Sequence, residues 1–258
     1  MFFARFLALG LAQSASAPLA VPANQWIVDY SRTACTLARR VGGEGSPIVA
    51  FNAPYGSEPG ELVVLEAGND LQDRLTGEVQ VRAGDTPVIT ARAWRDQRNG
   101  RTISHMASMP EDFLDRIAGA RQLTVSKDGQ GVVTLSLPNP REAVEALLHC
   151  NDDLLQSWGI DVAARRALSR KARMRNYDWA FNLMPRASTY VILAADISEA
   201  GRATGCRILV STRNPRFDST ICDQVQRVAR FEPALNAQAQ PVAAQYVTPV
   251  RWSVESDD

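Results

Sequence analysis

The side chains with the clearest chemical potential in this chain are four cysteines, Cys35, Cys150, Cys206 and Cys222. They are even in number and well spread, and no C-x-x-C spacing occurs, which argues against a redox catalyst or a zinc site. In an oxidising compartment, cysteines of this kind form disulfides. Three pairings are open at this point, so the surrounding sequence has to distinguish them.

Acid–base and metal chemistry find little support in the other residues. Only two histidines occur, His105 and His149, and a single His beside Cys150 is more typical of a core than of a ligand pair. Glu111 and Asp112 are adjacent, so on a helix their side chains diverge by about 100°. No G-x-S-x-G, H-E-x-x-H, G-x-G-x-x-G or P-loop motif occurs. We predict no catalytic residues, no metal and no cofactor. A glycosidase-type carboxylate pair drawn from two domains is the enzymatic alternative left open.

Composition indicates a globular protein without an obvious charged partner. Of 258 residues, 45% are hydrophobic and 22% are charged, which is enough for two domains of roughly 100 residues each. The formal net charge is zero, so a nucleic-acid partner is not predicted.

Residues 1–20 have the pattern of an export signal. Arg5 is the only charged residue among them, residues 6–11 are apolar and residues 12–20 are mostly small. The apolar core of about 10 residues is shorter than the roughly 20 that a membrane anchor needs. Cleavage after Ala15, Ala17 or Ala20 stays open. We predict a cleaved signal and a periplasmic location; the alternative is an apolar terminus on a cytosolic protein.

Residues 24–160 have the pattern of a mainly antiparallel β domain with two helices. Short β-type runs recur every 8 to 12 residues or so with turn residues between them, which favours a sandwich-like sheet. A first helix is expected to start at Ser108–Glu111, and a second to start at Pro140 and end at Gly159. In the second helix an apolar stripe places Cys150 toward the core.

The chain from Asp196 to Ala234 forms one recognisable unit. A strand ending at Ile197 is followed by a turn at Glu199–Arg202 and a second strand at Cys206–Ser211. A helix capped by Asp218, Ser219 or Thr220 is expected next. A short strand stopped by Pro233 completes the unit.

This order resembles the C-terminal domain of TonB, the periplasmic energy transducer of Gram-negative bacteria, in its cysteine-bearing form. The residues that carry the resemblance are Gly201, Cys206, Pro215, Asp218, Thr220, Cys222, Arg230, Phe231, Pro233, Ala234, Pro241, Val242 and Trp252. Loops 211–214 and 236–239 depart from the family pattern. Bridges Cys206–Cys222 and Cys35–Cys150 would each stay within one domain, so we favour that pairing. The fold class implied is α+β, with a small antiparallel C-terminal sheet and helices on one face.

The resemblance implies a protein-binding sheet edge rather than an active site. Domains of this kind bind the extended box of outer-membrane receptors by strand addition. The corresponding strand runs from Tyr246 to Glu255, where Pro249 is typical of an edge. The predicted partner-binding residues are Tyr246, Val247, Val250, Arg251, Trp252 and Ser253. The alternative is that this strand only completes the sheet and Trp252 belongs to the core.

Residues 161–176 form a basic segment between the two regions. Its basic residues are Arg165, Arg166, Arg170, Lys171, Arg173 and Arg175. They would either contact an anionic partner, with membrane only as a transient surface contact, or form a solvated helical linker, which we favour.

These inferences give four segments: a signal at 1–20, a β-rich domain at 24–160, the basic linker at 161–176 and a TonB-like domain at 177–255. The motifs W-I-V-D-Y and C-T-L-A-R-R also resemble a domain that precedes TonB-like domains in exported alphaproteobacterial proteins. We expect an exported binding protein whose partner is a periplasmic or outer-membrane protein, a receptor-box peptide among them. We expect it to lack the membrane anchor and Pro-rich spacer of an energy transducer. The alternatives are a structural or envelope-maintenance protein and, third, a TonB-type transducer in transport.

Overall fold

The computed structural model describes residues 25–43, 45–56, 60–65, 75–98, 101–176, 178–181, 183, 185 and 189–252. The predicted signal at residues 1–20, and Ser253 of the predicted edge, lie outside the described residues. Strands predominate, helices are interspersed, and all strand pairs are antiparallel, so the predicted α+β class is confirmed.

The first strands form one nine-stranded sheet, called here the N-terminal sheet. Its strands are β1 (Trp26–Tyr30), β2 (Cys35–Arg40), β3 (Ile48–Asn52), β4 (Gly60–Leu65), β5 (Gly77–Ala83), β6 (Ile89–Arg98), β7 (Arg101–Met109), β8 (Gln122–Lys127) and β9 (Gln130–Ser136). They are ordered β1-β2-β3-β4-β7-β6-β5-β8-β9. The antiparallel pairing that the sequence predicted is confirmed, and these strands pair continuously.

Two helices cover one face of the N-terminal sheet. They are α1 (Phe113–Gly119) and α2 (Pro140–Ser157), which pack against each other. Alternation along β5 buries Val79, Val81 and Ala83 toward this side and leaves the residues between them exposed. The stripe on α2 that includes Cys150 is buried in the same core, as the apolar spacing predicted.

Helix α1 starts later than the sequence suggested because β7 occupies the residues before it. Strand β7 runs to Met109 between β4 and β6, so Ser108 and Met109 are extended rather than helical. Its sequence, R-T-I-S-H-M-A-S-M, has no strong β pattern. Pairing on both sides, rather than local propensity, therefore determines its conformation.

The remaining elements lie between residues 162 and 252. They are α3 (Val162–Arg166), β10 (Arg173–Met174), α4 (Asp178–Phe181), β11 (Thr189–Ile197), β12 (Ala203–Val210), α5 (Pro215–Val228), β13 (Phe231–Glu232), β14 (Ala234–Leu235), β15 (Pro241–Val242) and β16 (Ala244–Trp252). Strands β12-β11-β16 form the three-stranded C-terminal sheet. Two short ribbons, β10–β13 and β14–β15, flank it.

Both faces of the C-terminal sheet are buried. On one face Val191, Leu193 and Ala195 of β11 share a core with α4 and α5. On the other face Ile192 and Ala194 belong to the core of the N-terminal sheet. The nearly continuous apolar run of β11 follows from this position, because a strand covered on two sides has no face that needs polar residues.

The start of α5 differs from the sequence expectation. Asn214 is its N-cap, and the Asn214 Oδ1 accepts a hydrogen bond of 3.2 Å from the Phe217 backbone N–H. Asp218 lies within the first turn instead. Its carboxylate accepts hydrogen bonds from the Ser211 and Thr212 hydroxyls, each 2.6 Å long, and so ties the preceding loop to the helix.

Gly201, at the turn between β11 and β12, allows a close backbone approach. It has a φ of 72°, and its carbonyl accepts a 3.0 Å hydrogen bond from the Phe231 N–H. A Cβ at this position would lie 2.1 Å from the carbonyl oxygen of Phe231. Only glycine fits without moving the segment that follows α5.

Candidate functional site

The four cysteines form two disulfides. Cys35 on β2 pairs with Cys150 on α2, across a Cα–Cα distance of 6.0 Å. Cys206 on β12 pairs with Cys222 on α5, across 5.4 Å. Each bridge therefore ties a strand to the helix that covers its own sheet, and this is the pairing that the sequence favoured.

Strand β16 is an edge of the C-terminal sheet. Among the described residues it pairs with β11 alone, from Thr189↔Trp252 to Ile197↔Ala244. Two of the predicted partner-binding side chains are unavailable to a partner, since Tyr246 is 2% exposed and Val247 is 0% exposed. Tyr246 packs in the core under α5, and Val247 packs in the core of the N-terminal sheet. A partner at this edge would meet mainly backbone groups.

Pro249 determines which backbone groups of β16 face outward. It lies opposite Ile192 in an unbroken ladder, and a proline has no N–H to give to that ladder. Its nitrogen therefore faces away from β11. Backbone direction alternates along an antiparallel strand, so the N–H groups of Val247 and Arg251 face the free edge, while that of Val250 faces β11.

Helix α3 covers the beginning of β16. The Asp161 backbone N–H donates a 3.0 Å hydrogen bond to Oε1 of Gln245. An open cavity of about 420 Å³ lies here, with Arg165, Leu168 and Gln245 among its lining residues. Thr248 is also buried, so the accessible part of the edge is its end, from Pro249 onward.

Side chains near the end of β16 have different roles. The Trp252 indole Nε1 donates a 2.9 Å hydrogen bond to the Ala180 carbonyl, and its ring meets Phe217 edge-on at 5.4 Å. Trp252 thus holds the helical layer, as the alternative of a core role proposed. Val250 packs against the same core, whereas Arg251 is exposed, with its guanidinium 5.7 Å from the Tyr190 ring centroid.

A polar row that the sequence did not indicate lies close to Arg251, on β3, β4 and β7. Glu61 accepts hydrogen bonds from Asn52 at 2.9 Å and pairs with His105 Nδ1 at 2.7 Å. The indole of Trp94 stacks on the imidazole of His105 with centroids 5.3 Å apart. Burial of Glu61 opposes its ionisation, but these hydrogen bonds and the charges of His105 and Arg251 outweigh burial and lower its pKa.

The signal for this row is hard to find from sequence. Glu61 and His105 lie 44 positions apart in the chain, and neither β4 nor β7 has a motif around them. The sheet register alone brings them together. The arrangement is an acid–imidazole pair held by structural hydrogen bonds.

The basic segment is largely exposed, as we expected of a linker, but it is helical only at α3. Helix α3 ends at Arg166, and beyond it β10 pairs with β13 while Arg170 bridges to Leu235. Arg165 donates to the Tyr55 carbonyl and Arg166 pairs with Asp152. These contacts attach both ends of the segment to their neighbours.

The other basic side chains of the segment are exposed. Arg170 Nη1 lies 3.9 Å from the Glu232 carboxylate. Lys171, Arg173 and Arg175 have exposed side chains. Arg165, Arg166 and Arg170 thus have partners within the chain, and contact of the segment with an anionic partner stays a prediction.

The described ranges contain neither a cluster of metal-ligating side chains nor a membrane-spanning helix. There, no group of three or more His, Cys, Asp or Glu side chains is placed to hold a metal ion. Within the same ranges, no helix has the length and apolar character needed to cross a bilayer.

Comparison with known protein families gives a match for the C-terminal region. The family described as Gram-negative bacterial TonB protein C-terminal matches residues 184–254. Comparisons with curated proteins and with solved structures gave no match. Residues 184–254 span β11, β12, α5 and β16, so the predicted resemblance is confirmed for the segment that builds the C-terminal sheet. The matched family is not a family of enzymes.

Proposed function

We propose that this chain is a protein-binding protein of the Gram-negative envelope, and that its TonB-like domain accepts an extended partner segment at the free edge of β16. The observation that carries the proposal is that, among the strands the structure describes, β16 pairs with β11 alone, while both faces of its sheet are buried. With the faces covered, an edge is the part of the sheet that can still form backbone hydrogen bonds.

The partner that fits is a strand-forming peptide, such as the box of an outer-membrane receptor. The outward N–H of Arg251 and the outward carbonyls near it are the expected contacts, because the start of the strand lies under α3. Pro249 leaves a gap in this row of donors. Such a gap limits unspecific strand pairing, which is how natural edges avoid aggregation.

An oxidising compartment is part of the same proposal. Two disulfides support the periplasm, and the matched domain type belongs to Gram-negative envelope proteins. Export itself rests on the pattern of residues 1–20, which the structure does not describe.

The test is a binding titration of the full chain with a synthetic receptor-box peptide, followed by calorimetry. The same peptide with alternate backbone amides N-methylated is the control ligand, because it keeps every side chain and loses half of its donors. We expect saturable binding of the first peptide and none of the second. Equal binding of the two would contradict strand addition.

A matched pair of proline variants locates the site on the protein. Arg251→Pro removes an outward N–H and should abolish peptide binding while leaving the melting temperature nearly unchanged. Val250→Pro removes an N–H that faces β11, so it should lower the melting temperature as well. Pro249→Val adds an outward donor and should strengthen binding. If Arg251→Pro bound the peptide with the affinity of the wild-type protein, the binding site would not be the edge of β16.

A structural, envelope-maintenance role is the second candidate. One observation favours it: the C-terminal sheet buries Ile192, Ala194 and Val247 against the N-terminal core, which gives a joined unit instead of a free binding module. A deletion strain distinguishes the two. Impaired uptake of iron or other scarce nutrients supports the binding role, whereas altered envelope integrity with normal uptake supports the structural role.

A further inference from the structure

Arg39, on β2, is a buried cation that stacks on an indole ring. Its exposure is 6%, and its guanidinium lies over the Trp26 ring, 5.5 Å from the centroid. Its Nη1 is fully buried and has no hydrogen-bond partner among the described residues. The indole face offsets part of the lost hydration, but it accepts no conventional hydrogen bond.

This arrangement needs a physical explanation. Burial lowers the pKa of Arg39, because desolvation disfavours its charged form. A buried donor left unpaired is destabilising, and native proteins nearly always satisfy such groups with protein, water or an ion. An anion beside Arg39 would remove both penalties.

The residues around Arg39 form an open cleft at the N-terminus of α2. The cleft has a volume of about 380 Å³ and is lined by Trp26, Arg39, Pro138, Asn139, Glu142 and Ala143. The Trp26 Nε1 is already engaged, since it donates a 2.7 Å hydrogen bond to the Pro138 carbonyl. Since the Arg39 guanidinium covers one face of the indole, a ligand would contact the part of the half-buried ring that stays exposed.

The start of α2 is not capped from within the chain. Asn139, its N-cap residue, has a φ of 46° and makes no side-chain capping hydrogen bond. Pro140 has no N–H, and the first helical bond at this end is from Ala143 N–H to the Asn139 carbonyl, at 3.3 Å. The backbone N–H groups of Arg141 and Glu142 are therefore without intrahelical acceptors. An 18-residue helix also places partial positive charge at this end.

We propose that this cleft binds the carboxylate of a small monoanionic ligand. Because Nη1 is enclosed, the Arg39 guanidinium would turn toward the cleft to give hydrogen bonds to the carboxylate, which would also accept them from the Arg141 and Glu142 N–H groups. An apolar part of the ligand would then contact the exposed part of Trp26. The exposed Glu142 side chain lines the cleft as well. Its negative charge disfavours a dianion, which is why a carboxylate fits better than a phosphate.

The experiment is a nuclear magnetic resonance titration of the full ¹⁵N-labelled chain with three probes. N-acetyl-L-alanine supplies the carboxylate, N-acetyl-L-alaninamide is its neutral counterpart, and inorganic phosphate is the multivalent anion. We expect saturable shifts of the Arg141 and Glu142 amide signals with the carboxylate alone. Equal shifts with the neutral amide, or tighter binding of phosphate, would overturn the proposal.

Three variants test the assigned roles. Arg39→Met keeps the length of the side chain and should weaken binding of N-acetyl-L-alanine by tenfold or more, the loss expected when a charge-assisted hydrogen bond is removed. Glu142→Gln removes the repelling charge and should tighten binding several-fold. Arg82→Met is the control, because Arg82 is an exposed arginine on β5 of the same sheet.

If Arg39→Met does not fold, Glu142→Gln still tests the site through the effect of the Glu142 charge on affinity for the ligand. Weaker or unchanged binding in Glu142→Gln contradicts the proposed electrostatics. Unchanged affinity in a folded Arg39→Met variant contradicts the site itself.

Discussion

The N-terminal and C-terminal sheets solve the problem of burial in different ways. The N-terminal sheet has nine strands and buries one face under its own helices, so β5 alternates between exposed and buried residues. The C-terminal sheet has three strands, and β11 is buried on both faces, one of them against the N-terminal core. The smaller sheet is therefore the dependent one, since its stability includes a surface that belongs to its neighbour.

Removing each disulfide should give the largest change in the free energy of unfolding, and so compares the two regions most clearly. Cys35→Ala with Cys150→Ala opens a bridge between residues 115 apart and should cost about 5 kcal/mol, whereas Cys206→Ala with Cys222→Ala opens one between residues 16 apart and should cost about 3 kcal/mol. Guanidinium denaturation of both variants measures the free energy of unfolding. Equal losses would show that loop length is not the dominant factor.

Two adjacent residues of β11 test whether both of its faces contribute. Ile192 faces the N-terminal core and Leu193 faces the helical layer, and each is fully buried. Ile192→Ala and Leu193→Ala should each lower the free energy of unfolding by about 2–4 kcal/mol through lost burial and a residual cavity. Denaturant titration of the two variants checks this. A loss below about 1 kcal/mol for Ile192→Ala alone would contradict the shared core.

Two glycines compare a tight approach in the C-terminal region with an open turn in the N-terminal sheet. Gly201 and Gly129 both have positive φ, 72° and 76°, but a Cβ on Gly129 would meet no atom within 4 Å. Gly129→Ala should cost about 1 kcal/mol from backbone strain alone. Gly201→Ala adds a clash with the Phe231 carbonyl, so we expect about 2–3 kcal/mol. Thermal and chemical unfolding of the pair isolates the clash as their difference.

The smallest expected effect on the free energy of unfolding comes from ionisation of one carboxylate in each region. Glu61 and Asp218 are each partly buried, which raises a carboxyl pKa, yet hydrogen bonds to each outweigh burial and lower it. A lowered pKa in the folded state means that each contribution to stability is complete above the unfolded pKa of about 4 and is lost as pH falls through the folded pKa.

Glu61→Gln and Asp218→Asn should therefore flatten the decline in stability below about pH 4, each by its own share. Unfolding curves collected at intervals between pH 6 and pH 3 provide the measurement. A steeper acid decline in either variant would show that its wild-type carboxylate has the opposite sign of coupling.

Sequence reasoning succeeded where the signal is local. The apolar stripe of α2 placed Cys150 in the core, and the missing donor of Pro249 placed its strand at an edge. These depend on residue types whose physical constraints act within one element. Domain boundaries inferred from the same patterns stay predictions.

The failures concern features that depend on distant partners. Strand β7 was missed because its pairing with β4 and β6, not its composition, keeps it extended. Asn214 rather than Asp218 caps α5, since both are good capping residues and only the loop geometry selects between them. The burial of Arg39 and the pairing of Glu61 with His105 likewise arise from sheet register.

The alternation of Tyr246 and Val247 has a consequence for anything that joins β16. Sliding β16 by one position along β11 would exchange these two side chains between cores of different shape, so each core resists the slip. The outward N–H and C=O groups of β16 are thereby held at fixed positions, and Pro249 contributes no N–H among them. A partner strand must therefore pair in the register that leaves no carbonyl of its own opposite Pro249.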